Sequence, residues 1–295
     1  MVGRVSFNSN YNLMVQRIQD VSARYRESLN TATSGKSVNG PSDDPGSYRR
    51  IESGRAQLQQ YDDYRKGVGN AMQEMYTAES TLGSIYDRLI RARELAVAGA
   101  TTGYDAANRA TMAEEVGAIW DDVLLMSNAT FNDRYIFAGN LYDQPAYDAT
   151  ATYQGDANQR NYLAGLNYSV PVSMTGDEIF GTAAGGVDIF ATLTALETAL
   201  NANNPTTVQA TLTDLDLALG QIEAARATYG VRAGQAEALK NLYADSKVTT
   251  LERISQDEDV DAAQAITDLT RLQTAFQATL QVSASAKQVS LLNYI

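Results

Sequence analysis

Apolar residues recur at helical spacing near both ends of the 295-residue chain. Steps of three and four positions place such residues on one face of a helix, where they need a covering partner. Near the start the series is Tyr11, Met14, Ile18, Val21, Tyr25 and Leu29. Near the end it is Ile266, Leu269, Leu272, Phe276 and Leu280. We therefore expect the two terminal helices to pack as a coiled coil, within one chain or between neighbouring copies.

The same spacing fills much of the chain between these ends. One long series runs through Met72, Met75, Ala78, Leu82, Ile85, Leu89, Ala92 and Ala96. Shorter series follow at 116–126, 189–200 and 208–222. The chain holds only five prolines, so few residues interrupt its helices. These patterns predict long helices on both sides of the chain's middle.

The middle of the chain, residues 135–182, has a different character. It is rich in aromatic residues, short alternations and turn dipeptides, which predict four or five short strands. The predicted fold is mainly α: a long antiparallel helical coiled-coil rod built from both termini, with a small β-rich insert domain. The expected domains are a terminal one (1–40 and 257–295), a helical rod (41–134 and 183–256) and a β-rich outer one (135–182).

Composition excludes several classes of function. The chain has no cysteine and no histidine, so thiolate and imidazole metal sites, disulfides and histidine-based catalysis are excluded. The net charge of −12 disfavours binding to nucleic acid or to an anionic membrane. No apolar run is long enough to cross a membrane, and the first residues lack the apolar core of a cleaved signal peptide. We expect no cofactor, no metal and no enzymatic activity.

The string "GPSDDPGSY" at 40–48 places two carboxylates, Asp43 and Asp44, between two prolines. A catalytic pair of carboxylates normally sits on separate elements across a substrate, and a calcium loop needs more oxygen ligands. Aspartate before proline fits a helix N-cap, because proline is favoured at the first helical position. We predict that Asp44 and Pro45 begin the second helix and form a structural joint.

Two further polar strings have structural interpretations. In "DEDVDAAQ" at 257–264, Asp261 and Gln264 have the spacing of a capping box, and the remaining acids are expected to be solvated. The strings "YQGDANQ" at 153–159 and "TGDEIFG" at 175–181 are interpreted as β-turns in which glycine supplies a positive φ.

Several of these strings resemble the flagellin superfamily of bacterial flagella. "RARELAV" at 91–97 is similar to that family's Arg-x-Arg-Glu-Leu-Ala segment. "NATFNDRYIFAG" at 128–139 resembles its Thr-x-Phe-Asn segment, although Thr130 and Phe131 are adjacent here. The segment at 252–280 resembles the family's terminal helix with its acidic lead-in.

Other strings resemble one branch of that superfamily, the hook-associated proteins on the filament side of the hook–filament junction. They are "RYIFAGN", "YQGDANQRNY", "TGDEIFG" and the closing "SLLNYI". The resemblance implies a structural subunit of the flagellum, and flagellin itself is the alternative. It also implies that the termini form an inner layer and that the insert points outward.

The resemblance implies partners and a location as well. The expected partners are other copies of the chain in a ring, the adjacent hook-associated junction protein, flagellin and a flagellar export chaperone. The expected location is the extracellular flagellum, reached through the flagellar type III export channel. The expected subunit-assembly residues are Met14, Ile18, Val21, Tyr25, Leu269, Leu272, Phe276 and Leu280. A carboxylate hydrolase is the alternative from another class, and it would depend on Asp43.

Overall fold

The computed structural model describes residues 2–166 and 168–292, and side chains within 11–166 and 168–285. The terminal domain predicted from the sequence includes residues 1 and 293–295, which lie outside the described residues, as does the end of the "SLLNYI" string.

The chain divides into two compact units, each described by itself below. Unit 1 comprises Met1–Gln60 with Ser246–Ile295, and unit 2 comprises Tyr61–Asp245. The division into three domains made from the sequence stays a prediction.

Unit 1 is built from both ends of the chain. Helix α1 spans Val2–Ser34 and helix α7 spans Ala262–Leu292, and the two pack against each other. Unit 1 also contains the first part of helix α2 (Pro45–Gly99) and the last part of helix α6 (Pro205–Glu258). The pairing covers part of each predicted apolar stripe, whereas Tyr11, Leu29, Ile266 and Leu280 of the stripes stay exposed.

Unit 2 holds the hydrophobic core. Its helices are the rest of α2 and α6 together with α3 (Ala106–Ser127) and α5 (Ile189–Asn201), and α3 packs on α5. The predicted stripe of α2 is buried over its whole length, from Met72 to Ala96. Ile189, Leu193, Leu196 and Leu200 of α5 are also buried. Helical periodicity therefore identified the buried faces of this unit correctly.

One buried side chain in unit 2 holds the turn between α2 and α3. Arg109 is 3% exposed, and its guanidinium donates to the carbonyl oxygens of Gly99, Thr101 and Tyr104 at 2.7–2.8 Å. It also donates to Oδ1 of Asn203 at 2.5 Å. One guanidinium thus donates to four oxygen acceptors and stabilises the turn between α2 and α3.

Two small antiparallel sheets form here, but of their four strands only the last two lie wholly within 135–182 in the described part of the chain, so four or five strands within those bounds were too many. Strand β1 (Thr130–Phe131) pairs with β2 (Arg134–Tyr135), and β3 (Asn161–Gly165) pairs with β4 (Tyr168–Pro171). Buried side chains beneath them include Ile136, Phe137, Val170, Val172 and Phe180. The predicted class, mainly helical with a small β insert, is confirmed.

The turn predicted for "TGDEIFG" is wrong, because this string begins helix α4 (Gly176–Phe180). Thr175 is its N-cap: Oγ1 accepts from the Glu178 amide at 3.3 Å, and Glu178 Oε2 accepts from the Thr175 amide at 3.0 Å. The string has the Thr-x-x-Glu spacing of a capping box, which outweighed the turn preference of Gly-Asp. Among the described glycines, only Gly35, Gly139 and Gly185 have a positive φ, so the φ predicted for Gly155 and Gly176 is also wrong.

The reason for glycine at these two positions is close approach rather than φ. A Cβ on Gly155 would lie 2.7 Å from the Ala138 carbonyl oxygen, and one on Gly176 would lie 2.8 Å from the ring of Tyr147. Real Cβ atoms do not come so near, so a side chain at either position would force its neighbours apart.

Candidate assembly surface

The terminal stripes meet within one chain. The rings of Tyr25 on α1 and Phe276 on α7 are stacked, with centroids 5.7 Å apart and planes inclined by 4°. The structure therefore brings these two predicted residues together across the helix pair.

The pairing leaves the predicted residues only partly covered. Met14, Ile18, Val21, Tyr25, Leu269, Leu272 and Phe276 are half-buried, and Leu280 is 43% exposed. Among the described side chains of unit 1, the buried apolar ones are Val38, Ile51 and Ala265. In unit 2, by contrast, the stripe of α2 is almost completely sealed. The terminal pair thus has apolar surface that a single partner helix does not cover.

Further apolar side chains of the terminal helices are exposed in the single chain. Ile266 is 60% exposed and Val282 is 65% exposed, and Tyr11 and Leu13 are also exposed. Leu13 and Val282 lie off the predicted stripes, so sequence reasoning missed them as candidates. The sequence did contain a signal for them, because each is an apolar residue at a position where a helix with one covered face should carry a polar residue.

A groove of about 640 Å³ lies along the contact between α1 and α7. Val21 and Leu272 are among the apolar residues that line it, while Arg24, Glu27 and Arg271 supply charges. Apolar walls with charges of both signs are typical of a coiled-coil seam, where flanking ion pairs set the register of a further helix.

The joint after α1 forms as the sequence predicts. Oδ1 of Asp44 accepts from the amides of Gly46 at 2.8 Å and Ser47 at 3.2 Å, and Oδ2 accepts from the Ser47 hydroxyl at 2.6 Å. These bonds from Ser47 and Gly46 lower the pKa of Asp44 below its ordinary value. Pro45 occupies the first helical position of α2. Asp44 is therefore the N-cap of α2.

Asp43 stabilises the loop that precedes α2. Its Oδ2 accepts from the amides of Asn39 at 2.8 Å and Gly40 at 2.9 Å, which closes the loop on itself. Because each of the adjacent carboxylates binds its own local amides, their geometry matches a loop and a cap rather than a catalytic pair.

The loop after α1 is also tied to the segment between α6 and α7. The Ser37 amide donates to the Glu258 carbonyl at 2.7 Å, and the Val260 amide donates to the Gly35 carbonyl at 3.1 Å. Lys36 and Asp259 form an isolated antiparallel bridge between these two backbone bonds. We call this contact, residues 35–37 with 258–260, the backbone clasp.

Ion pairs reinforce the clasp, and here the sequence interpretation was wrong in part. Asp257 and Glu258 were expected to be solvated, yet the Glu258 side chain is only 9% exposed. Glu258 lies 2.6 Å from both Lys36 Nζ and Arg55 Nη2, and Arg50 makes a two-pronged contact with Asp257. The hydrogen bonds from Arg50 lower the pKa of Asp257. These partners lie about 200 positions away in sequence, where a local pattern cannot reveal them.

The last acid of this run caps α7 as predicted. Oδ1 of Asp261 accepts from the amides of Ala263 at 2.8 Å and Gln264 at 3.2 Å. The second half of a capping box is replaced, because the Gln264 side chain donates to Asp268 at 3.1 Å instead.

The described residues contain neither a cluster of metal ligands nor a helix suited to crossing a membrane. No group of three or more acidic, histidine or cysteine side chains in that part of the chain is arranged to hold a metal ion. No helix among the same residues combines the length and apolar character that crossing a membrane requires.

Two protein families match this chain, one at each end. Residues 5–141 match the family described as "Bacterial flagellin N-terminal helical region", and residues 212–295 match "Bacterial flagellin C-terminal helical region". The two matches leave out residues 142–211, which contain most of the insert.

Curated relatives match over nearly the whole chain. Flagellar hook-associated protein 3 of Escherichia coli (strain K12) is 27% identical over 91% of both chains. Its namesake from Salmonella typhimurium is 24% identical over 98% of both chains. Among solved structures, the flagellar junction protein FlgL from Legionella pneumophila has a TM-score of 0.59 at 17% identity. That structure covers 70% of this chain and all of its own, and it supports the fold.

Proposed function

The chain belongs to the bacterial flagellin family, and from this premise we propose that it is a structural subunit of the junction between the flagellar hook and filament. The observation that carries the proposal is the half-covered pair of terminal helices. A chain that keeps apolar stripes at both ends, outside a well-sealed core, is built to complete its burial against other copies. Both curated relatives named above are flagellar hook-associated proteins.

The mechanism we infer is burial of the terminal stripes on assembly. Burying apolar surface contributes about 25 cal/mol per Å², so several half-covered side chains of the size of Leu or Phe together supply a few kcal/mol per contact. The groove between α1 and α7 would receive a helix from a neighbouring copy, and its charges would select the register. Met14, Ile18, Val21, Leu269, Leu272 and Leu280 would complete their burial in this way.

The joint separates the assembling termini from the body of the chain. Asp44 and Pro45 start α2, while the backbone clasp and its ion pairs hold the loop before α2 against the end of α6 and the segment that leads to α7. This arrangement supports a mechanical role, in which the joint sets where the assembling helices leave the folded unit.

The proposed partners follow from the junction role. They are other copies in a ring, the adjacent hook-associated protein, flagellin and an export chaperone that holds the C-terminal region. The proposed location is the extracellular flagellum, with passage through the type III export channel. The absence of cysteine is compatible with threading a channel without crosslinks.

Deletion of the gene in the source bacterium tests the junction role. We expect hooks to remain, filaments to be lost and flagellin to appear in the medium. Filaments that persist in the deletion strain would overturn the proposal.

Copy number separates the junction role from flagellin, the remaining alternative. Labelled antibodies on isolated flagella should mark a narrow band at the base of the filament. Label along the whole filament would instead identify the chain as the filament subunit.

A further inference from the structure

Unit 2 contains a cavity of about 880 Å³ that the junction role does not use. Five aromatic residues line it: Trp120, Tyr147, Tyr153, Phe180 and Phe190. A volume of this size is in the range of pockets that hold small organic ligands.

The aromatic rings form one connected cluster centred on Tyr147. Its ring centroid lies 5.3 Å from Tyr153, 5.9 Å from Phe180 and 5.1 Å from Phe190. Trp120 meets Phe190 edge-to-face at 5.7 Å. Rings held at such angles offer faces and edges to one cavity, and a ring face attracts a cation.

The charges at the cavity are all negative. Asp177 and Asp188 line it, and no lysine or arginine does so in the part of the chain that the structure describes. Asp188 is the N-cap of α5, where one oxygen accepts from the Ala191 amide at 2.9 Å. Across the described residues, the half-buried Asp177 carboxylate has neither a hydrogen-bond donor nor a cation partner. A half-buried carboxylate without a partner beside aromatic rings is a site for positive charge.

Two buried polar atoms at the cavity also lack partners. The Tyr147 hydroxyl and the Trp120 indole nitrogen make no hydrogen bond within the described structure, and Tyr147 is only 4% exposed. Buried polar groups are normally satisfied, so each unsatisfied one needs an explanation. Burial, followed by the neighbouring Tyr153, Asp177 and Asp188, raises the pKa of Tyr147, so its oxygen stays protonated and neutral. Both polar atoms are shielded behind the wall of the cavity, so the preference for positive charge rests on the two carboxylates and the ring faces.

We propose that this cavity binds an organic cation, an alkylammonium or guanidinium group, between the aromatic rings and the Asp177 carboxylate. Asp188 adds a second negative charge to the lining. The group can belong to a free amine or to a lysine or arginine side chain of another polypeptide. The site lies wholly within unit 2, and it stands whether or not the chain acts at the junction.

The chain provides its own probe, because Trp120 is its only tryptophan. Titration of the full-length protein with 1,4-diaminobutane should change the tryptophan fluorescence saturably. We expect a dissociation constant of about 1 mM, which is the strength that a few cation–π and ion-pair contacts supply. Butane-1,4-diol has the same chain without charge and should leave the fluorescence unchanged at constant ionic strength.

Charge-neutralising variants test the residues. Asp177→Asn should weaken binding of the diamine about fivefold or more, because it removes the unpaired carboxylate with little change in shape. Asp188→Asn should weaken it less while keeping the cap of α5, since asparagine is also a good N-cap. Asp105→Asn is the matched control: Asp105 caps α3 through the Asn108 amide at 2.8 Å but does not line the cavity.

The possible results of these titrations distinguish a true cation site from its alternatives. Equal responses to the diamine and the diol, no saturable response up to about 10 mM, or binding that survives Asp177→Asn with Asp188→Asn would each overturn the proposal. A capped lysine or arginine amide that binds more tightly than the diamine identifies a protein side chain as the occupant. The reverse order identifies a free amine.

Discussion

Tyr25 and Phe276 stack in parallel at 5.7 Å, and yet both rings remain half-buried. A stacked pair at the centre of a sealed core would lose nearly all of its exposed area. The remaining exposure marks this contact as one that a further element can complete, and the first prediction depends on it.

We predict that Phe276→Asp blocks assembly and leaves unit 2 folded. The change places a charge against Tyr25 and on the face of α7 that a neighbouring copy would cover, where an unpaired charge is costly. Far-UV circular dichroism and thermal unfolding should report an intact unit 2, and complementation of the deletion strain should yield no filaments. Gln273→Asp puts the same charge at an exposed position of α7 and serves as the control. Normal filaments built with Phe276→Asp would show that the stripe contact is not needed.

Hydrogen exchange should show that the terminal helices are the least protected ones in the monomer. Their apolar stripes are half-covered, while α5 lies in a sealed core, so local opening of α1 should need less free energy. We expect amides at 11–30 to exchange much faster than those at 189–200 in the monomer and to become protected after assembly. Equal protection of both segments in the monomer would contradict this expectation.

Removal of the cap at the joint should loosen the first turn of α2. Asp44→Ala deletes the acceptor for the Gly46 and Ser47 amides, which should lower the local stability of this turn. Faster exchange of these two amides checks the prediction, and Asp44→Asn should retain most of the protection. Asp105→Ala, at an ordinary helix cap in unit 2, gives the reference effect. If Asp44→Ala exchanges like the wild type, another group holds the turn.

Acid should weaken the joint in a defined window. The folded pKa values of Asp44 and Asp257 lie below their ordinary value of 3.8, because Ser47 and Arg50 respectively bind the ionised forms. Their stabilisation is therefore fully present at pH values above the ordinary pKa, and it is lost as the pH falls through the lower folded values. Protection factors for the amides of 35–47 should stay flat near neutral pH and fall at acid pH. Asp257→Asn should flatten part of this dependence, and an unchanged profile in that variant would assign the effect elsewhere.

The buried guanidinium of Arg109 should be hard to replace. Arg109→Lys keeps the charge but loses the planar fork that reaches Gly99, Thr101, Tyr104 and Asn203 together. Leaving buried carbonyls without donors should destabilise unit 2 by about 2–3 kcal/mol, measured by urea unfolding. Arg93→Lys is the matched control, because Arg93 pairs with Asp216 at the surface and its replacement should have little effect on stability. Equal losses for the two variants would mean that the turn does not depend on Arg109.

The features that the sequence predicted well are those set by near neighbours in the chain. The cap at Asp44 depends on residues within three positions, and the buried faces of α2 and α5 follow from helical periodicity. The pairing of Tyr25 with Phe276 was expected from the apolar stripes and from the family resemblance.

The features that escaped prediction are set by distant partners. In the sequence, Glu258 is one of several acidic residues that are expected to be solvated. Only the folded chain places Lys36 and Arg55 beside it. The rings around Tyr147 come from segments spread between residues 120 and 190, each of which reads alone as ordinary core. Sequence spacing cannot identify residues that come together only in the folded chain.

The contact between Arg50 and Asp257 spans 207 positions of sequence. If the chain leaves the cell end-first through the proposed export channel, this separation sets the order in which its parts can fold. Whichever end leads, all of unit 2 must be outside before these two side chains can meet. The body can therefore condense first, and the terminal helices can align only after the last stretch is released. A contact between residues so distant in sequence can form only when both ends of the chain are present. A truncated chain that lacks its final segment would still contain unit 2 but could not join its two ends.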